Sequence, residues 1–177
     1  MGKTALQLVA TFIILLLLQV VVFSRICLFN VAVPLVFVFA ILRLPITLAP
    51  SLVMLIGFLS GLFVDIFTNT LGMNALAATI LSGLRRPVVK LFVNREDDLA
   101  SPIPSAKNFG GFTYFKYAFT LVLAYCTVLF LVESSTLVDF STTLLRILFS
   151  TILTTVLVIA IDSIFGDHNS DRQQNVI

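Results

Sequence analysis

The stretch that decides the fold is GFLSGLFVDIFTNTLGMN, residues 57–74. Its first part is an apolar run with two glycines, and it leads to Asp65, the only ionisable side chain between Arg43 and Arg85. A carboxylate at the centre of a membrane helix costs roughly 2.5–3.5 kcal/mol on insertion scales, so such a residue faces protein or water rather than lipid. We therefore expect an apolar helix, a polar turn and a second helix here. We also expect Asp65 to be a candidate functional residue.

The composition of the 177-residue chain is typical of a membrane protein. Hydrophobic residues make up 59% of it and charged residues 11%, whereas soluble domains carry about 25% charged residues. A soluble fold of this size has too little interior to enclose so many apolar side chains. The net charge of +2 and the absence of a basic stripe argue against nucleic acid as a partner. We predict an all-α polytopic integral membrane protein with one domain, residues 1–165, and a disordered tail, residues 166–177.

About 20 apolar helical residues are needed to cross a bilayer, and this window predicts six transmembrane helices in a compact bundle. They are residues 5–23, 31–45, 49–66, 70–86, 113–132 and 141–162. The second and fourth are short or uneven, and a five-span arrangement with a re-entrant segment is the alternative. The first is predicted to be an uncleaved helix rather than a signal peptide, because no small-residue cleavage pattern follows it.

The distribution of basic residues orients the chain, because cytoplasmic loops are enriched in lysine and arginine. If the chain has six spans and both termini are inside, nine basic residues lie on the inner side. The outer side then has two, Arg25 and Arg146. The inner set is Lys3, Arg43, Arg85, Arg86, Lys90, Arg95, Lys107, Lys116 and Arg172. The basic segment 85–93 is predicted either to lie at the headgroup surface or to serve only as an orientation signal. Residues 94–111 are predicted to be a polar, mobile inner loop.

Small residues predict close packing of two helices. Gly57 and Gly61 lie on one helical face that Asp65 continues, and glycines let a second backbone approach closely. A second small-residue face follows in the next segment, formed by Ala75, Thr79 and Gly83 with Ala78 and Ser82 beside it. We expect the two faces to pack as a tight hairpin; a dimer interface is the alternative.

Asp65 needs a partner or water. The six-span arrangement puts it at the outer end of its helix, at a depth comparable with Arg146, and predicts a salt bridge or a water-bridged pair between them. Lys116 and Asp162 are predicted to be at similar depth on the inner side and could also pair. The alternative for Asp65 is a turn or helix-capping role, with residues 68–70 capping the next helix.

Catalytic chemistry has little support in the sequence. No catalytic triad, HExxH motif, paired carboxylates within one span or phosphate loop is present. The lone His168 lies in a polar tail, and Cys27 and Cys126 occupy apolar positions far apart. We therefore predict no enzyme activity, no metal, no cofactor and no disulfide.

Residues 57–77 resemble the hallmark of the rod shape-determining protein MreD family, a GF-x-x-GL-x-x-D turn followed by Leu-Gly and a small-residue helix. Gln19 near the end of the first helix, Pro34 before the second and the chain length agree with it. Asn74 departs from the pattern, because many members carry His there. With the packing argument, the candidate partner-binding residues are Gly57, Gly61, Asp65, Asn69, Gly72, Asn74 and Arg146.

The resemblance implies a non-enzymatic scaffold subunit in the bacterial inner membrane. Such a subunit binds MreC within the membrane and belongs to the cell-elongation complex with MreB, RodA and a class B penicillin-binding transpeptidase. The family is also likened in fold to the substrate-binding subunits of energy-coupling-factor transporters. The alternative function is therefore a vitamin-type uptake subunit, with a pocket lined by Asp65, Asn69, Asn74 and Arg146.

Overall fold

A computed structural model describes residues 2–21, 34–70, 72–93, 103–134 and 140–168, and within these ranges all regular structure is helical. The helices are α1 (Gly2–Val21), α2 (Phe37–Leu42), α3 (Pro50–Thr68), α4 (Met73–Phe92), α5 (Ala106–Phe109), α6 (Gly111–Ser134) and α7 (Phe140–His168). Among the residues that the structure describes, three segments are long and apolar enough to cross a membrane, namely Pro50–Thr68, Gly111–Glu133 and Thr143–Ser163. The predicted all-α class and its membrane-helix character are confirmed at this level.

Three of the described helices, α4, α5 and α7, extend beyond the predicted spans or lie outside them. α4 continues through Pro87 to Phe92, beyond the predicted end at residue 86, and Val89 in this extension is buried. α5 forms inside the predicted mobile loop, where the Ser105 hydroxyl accepts a hydrogen bond from the Asn108 amide at 3.3 Å. α7 continues to His168, past the predicted end at residue 162. The predicted loop residues 94–102 and tail residues 169–177 lie outside the described residues, as do Arg25 and Cys27.

The second predicted span, residues 31–45, contains only a six-residue helix, α2. Six residues rise about 9 Å, far less than the ~30 Å of a bilayer core. Every residue from Phe37 to Leu42 is at most 7% exposed, and α2 packs against α1, α3 and α4. In the described part, this segment is therefore an enclosed short helix and not a continuous membrane-length one.

Side chains from two other helices make hydrogen bonds to the backbone N–H and C=O groups at the start of α2. The Gln19 amide of α1 donates to the Pro34 carbonyl at 3.1 Å and accepts from the amides of Val36 at 2.7 Å and Phe37 at 3.4 Å. Thr154 of α7 accepts from the Leu35 amide at 3.2 Å. Non-helical backbone inside a membrane bundle is tolerated only where protein or a water-filled cavity supplies hydrogen-bond partners. Gln19 and Thr154 therefore make the short helix compatible with an apolar environment.

The glycines of α3 pack directly on α4. A Cβ atom added to Gly61 would lie 2.5 Å from the Ala75 Cα, and one added to Gly57 would overlap the Ser82 hydroxyl. Real Cβ atoms do not approach other atoms so closely, so both positions need glycine. Because Gly57 meets Ser82 and Gly61 meets Ala75, the two helices run antiparallel. The predicted tight hairpin is confirmed.

α6 packs against both α4 and α7 and runs antiparallel to each of them. As a result, the first residues of α3 and α6 and the last residues of α4 and α7 lie at the same end of the bundle. We call it the basic end. Among the described residues it carries Arg43, Arg85, Arg86, Lys90, Lys107 and Lys116. The opposite end carries the turn between α3 and α4.

Large apolar side chains cover the outer faces of the bundle. On α3 they include Leu55 at 56% and Ile66 at 69% exposed, opposite the glycine face. On α7 Phe149, Ile152 and Val156 are each more than half exposed. Such continuous apolar surface is unfavourable in water and is the surface that lipid would cover.

Candidate functional site

Asp65 is the centre of a cluster that we call the polar turn, formed by Asp65, Thr70, Asn74 and Tyr125. Asp65 Oδ1 accepts from the Thr70 hydroxyl, from the Asn74 backbone amide at 3.1 Å and from Asn74 Nδ2 at 2.9 Å. Its Oδ2 accepts from the Ala75 backbone amide at 2.8 Å. Asp65 is 2% exposed. The carboxylate therefore makes four hydrogen bonds, all within protein.

Two of these donors are the backbone amides at the second and third positions of α4, which begins at Met73. The first amides of a helix lack intrahelical acceptors and carry partial positive charge, so a carboxylate placed there is favourable. Asp65 thus caps α4 from the preceding helix. The capping role proposed as the alternative for Asp65 is confirmed. The part of that alternative in which residues 68–70 cap the helix is wrong, because the cap position is Gly72, which has no side chain, and Asp65 accepts from the helix amides instead.

Left-handed backbone at two positions makes this cap geometrically accessible. Asn69 ends α3 with φ of 56°, and Gly72 precedes α4 with φ of 76°. Asparagine and glycine adopt this region more readily than other residues. The Asn69 amide also donates to the Asp65 carbonyl, which closes the helix before the chain reverses. The predicted site residues Asn69 and Gly72 therefore shape the turn, and Asn69 is exposed.

Of the two arrangements predicted for Asp65 and Arg146, the direct salt bridge is wrong. Arg146 Nη1 instead pairs with Glu133 Oε1 at 3.2 Å, and these side chains are 30% and 40% exposed, respectively. Arg146 lies near the start of α7 and Glu133 near the end of α6, so a local pair forms across the neighbouring helices. Asp65 is already saturated by neutral donors from its own hairpin.

Tyr125 of α6 completes the polar turn and was missed by sequence reasoning. Its hydroxyl donates to Asn74 Oδ1 at 2.7 Å, and its ring meets Phe37 edge-on with centroids 5.8 Å apart. It thereby ties α6 to the α3–α4 hairpin and to α2. The sequence held a signal, because all three tyrosines of the chain lie on the inward face of α6 and a tyrosine hydroxyl in an apolar helix needs a partner.

Arg85 organises the basic end. It is 4% exposed, its Nε donates to the Tyr117 hydroxyl at 3.1 Å, and its Nη2 donates to the Leu44 carbonyl. The Tyr117 hydroxyl donates in turn to the Leu42 carbonyl at 3.2 Å. Arg85, predicted as the start of a surface segment, therefore connects α4 to α6 and to Leu44 in the segment that follows α2. Tyr117 supplies the donor for Leu42, the last carbonyl of α2, which has no intrahelical donor.

The predicted pairing of Lys116 with Asp162 is also wrong. The Lys116 ammonium lies 4.4 Å from the ring centroid of Phe112 on its own helix. Asp162 Oδ2 accepts from the Ala106 backbone amide at 2.8 Å and so caps α5 from α7. Both carboxylates buried in the described part, Asp65 and Asp162, thus sit at helix starts.

The predicted site residues fall into three structural groups. Gly57 and Gly61 form the α3–α4 contact, and Arg146 belongs to a separate surface pair. The other four lie at the turn between α3 and α4, where Asp65 and Asn74 bond to each other and Asn69 and Gly72 shape the backbone. Within the described residues, no three His, Cys, Asp or Glu side chains could hold a metal ion together. Cys126 is a free, fully buried thiol, as predicted for an apolar core position. The chemistry of the polar turn is that of a helix cap joined to a third helix.

The class that the described residues define is an all-helical one, with three helices in that part of the chain long and apolar enough to cross a membrane. Comparison with protein-family models, with curated proteins and with solved structures finds no match for this chain. Any more particular function therefore rests on the residues themselves.

Proposed function

We propose that this chain is a non-enzymatic scaffold subunit of the bacterial cell-elongation machinery, similar to the MreD family, and that it binds MreC within the inner membrane. The observation that carries the proposal is the hairpin of residues 57–77. The motif that suggested the family is a structural unit in this chain, because its glycines make the helix contact and its aspartate caps the next helix.

The apolar surface of the bundle supports the proposal that the partner binds within the membrane. The polar side chains of the turn bond to one another, whereas the outer faces of α3 and α7 present large apolar side chains. A transmembrane helix can dock on such faces through dispersion contacts. The proposed complex also contains MreB, RodA and a class B penicillin-binding transpeptidase, and its formation contributes to peptidoglycan synthesis and rod shape.

The proposed topology has six crossings with both termini on the inner side. The basic end then faces the cytoplasm, in agreement with the rule that inner loops are rich in lysine and arginine. The second crossing contains α2 together with the non-helical backbone that Gln19 and Thr154 satisfy.

Co-purification and crosslinking test the scaffold. The full chain is extracted in mild detergent, and MreC is measured in the eluate with and without it. A photoreactive residue is then placed singly at Phe58 of α3, at Phe149 of α7 and, as a buried control, at Val158. We expect MreC to be recovered with the chain and crosslinked from an outer position but not from Val158. Failure to recover MreC, under conditions that preserve the other elongation complexes, contradicts the proposal.

The alternative is a vitamin-type uptake subunit, which needs convergent polar groups around an open pocket. Asp65 and Asn74 bond to each other, and Arg146 pairs with Glu133, so three of the four residues expected to line a pocket are engaged elsewhere. The scaffold is therefore preferred. A thermal-shift screen against vitamins distinguishes the two functions, because ligand-specific stabilisation of the purified chain would favour uptake.

A further inference from the structure

A cleft opens at the basic end, between the segment that follows α2 and the second half of α4. It is a shallow recess that is partly open to the outside. Apolar side chains line most of it, and two arginines lie at its wall; the lining includes Ile46, Leu48, Val53, Arg85, Arg86 and Val89. Its chemistry is thus apolar with positive charge at one side.

The two arginines play different parts. Arg85 is buried, and its guanidinium is held by Tyr117 and by the Leu44 carbonyl, so it fixes the shape of the cleft. Arg86 is exposed, and Lys90 follows it one turn later on the same face of α4, also exposed. Within the described part of the chain, neither Arg86 nor Lys90 has a carboxylate partner. Arg86 lines the cleft and Lys90 lies beside it on α4, so two cations without a carboxylate partner among the described residues stand at one side of the cleft.

The start of α3 adds to the positive potential. Pro50, its first residue, also lines the cleft, and Ala49 before it offers no capping side chain. The amino-terminal end of a helix carries a partial positive charge, which favours an anion nearby. Leu91 beside Lys90 is 70% exposed, so the same stretch of α4 presents both charge and apolar surface. Such a combination is typical of a segment at the headgroup level of a membrane.

We propose that this cleft is a binding site for one anionic phospholipid. The phosphate lies between Arg86 and Lys90, and the glycerol and upper acyl chain lie along Ile46, Leu48 and Val89. The positive charges of Arg86 and Lys90 favour an anionic headgroup. The apolar lining favours a lipid over a free phosphate, because only the lipid has an acyl chain to place there. Basic recesses between helices on the cytoplasmic side of membrane proteins are suited to anionic headgroups. This inference goes beyond the proposed scaffold and does not depend on MreC; it rests on the proposed topology only for the side of the membrane on which the cleft lies.

Lipid titration of the purified full chain tests the site. The chain in neutral detergent is titrated with phosphatidylglycerol, with phosphatidylcholine of the same acyl chains and with glycerol phosphate, and bound species are counted by native mass spectrometry. We expect one retained phosphatidylglycerol. A basic residue near a membrane surface contributes about fivefold to such binding, so the variant Arg86→Gln/Lys90→Gln should lose about 30-fold in affinity.

Two matched controls distinguish binding at this cleft from nonspecific attraction of the lipid to the positive charge of the basic end. Lys107→Gln/Lys116→Gln removes the same charge from the same end, away from the cleft, and should change the affinity by less than twofold. Leu48→Trp fills the cleft without a charge change and should weaken binding at least tenfold, whereas Leu52→Trp on the exposed face of α3 should not. Equal weakening by the two charge pairs, equal retention of both lipids, or displacement by glycerol phosphate would overturn the proposal.

Discussion

Replacing Asp65 with alanine should destabilise the bundle more than any other single loss of a carboxylate in its described part. The substitution leaves the Asn74 and Ala75 backbone amides without acceptors in a buried position. Each unsatisfied buried group costs about 1–3 kcal/mol, so the two together cost roughly 2–6 kcal/mol. Asp65→Asn keeps one acceptor oxygen, and we expect about half of that loss.

Unfolding of the purified chain in mixed micelles, followed by circular dichroism against an increasing fraction of denaturing detergent, measures the effect. Glu133→Gln is the matched control, because it removes a 40% exposed carboxylate from a surface pair. Such pairs contribute only about 0–1 kcal/mol. A loss for Asp65→Ala no larger than that for Glu133→Gln would refute the assignment of Asp65 as the cap of α4.

A double-mutant cycle tests the corrected pairing. Because Asp65 and Arg146 have separate partners, the effects of Asp65→Ala and Arg146→Ala should add to within about 0.5 kcal/mol. A coupling energy above roughly 1 kcal/mol would mean that the two side chains interact in the membrane.

Three further substitutions test the packing by the same unfolding measurement. Gly61→Leu should cost about 1–3 kcal/mol or more through overpacking, whereas Gly111→Leu, where an added Cβ meets open space, should be nearly neutral. Gln19→Leu should cost about 2–5 kcal/mol, because it strands backbone groups at the start of α2. Tyr125→Phe should cost about 1–2 kcal/mol, since it leaves Asn74 Oδ1 without its donor. A neutral result for any of the three would contradict the contact assigned to it.

Local patterns predicted the α3–α4 hairpin well. The glycines at positions 57 and 61 repeat at helical spacing, and Gly72 with the preceding polar residues marks a reversal. Both signals lie within a few residues of the structure they specify, so sequence reasoning could find them. The turn-or-cap alternative for Asp65 was found on the same local ground.

The hydrogen-bond partners of Asp65 and Arg85 could not be predicted from local sequence patterns. Asp65 was matched with Arg146 by charge and depth alone, yet its donors come from residues 70–75, brought under the carboxylate by the left-handed backbone at Asn69. Arg85 was placed in a surface segment because it is basic, but Tyr117 and the Leu44 carbonyl make its burial favourable. Both outcomes depend on which groups meet after folding.

The sequence by itself determined the helical class, the membrane character and the tight α3–α4 contact, because hydropathy, helical period and small residues act locally along the chain. The tertiary structure decided that α2 is a short enclosed helix held by Gln19 and Thr154, that Asp65 caps α4, and that a basic cleft opens beside Arg86. The physical reason is that a buried polar group must find a hydrogen-bond partner, and the nearest partner in space is often distant in sequence.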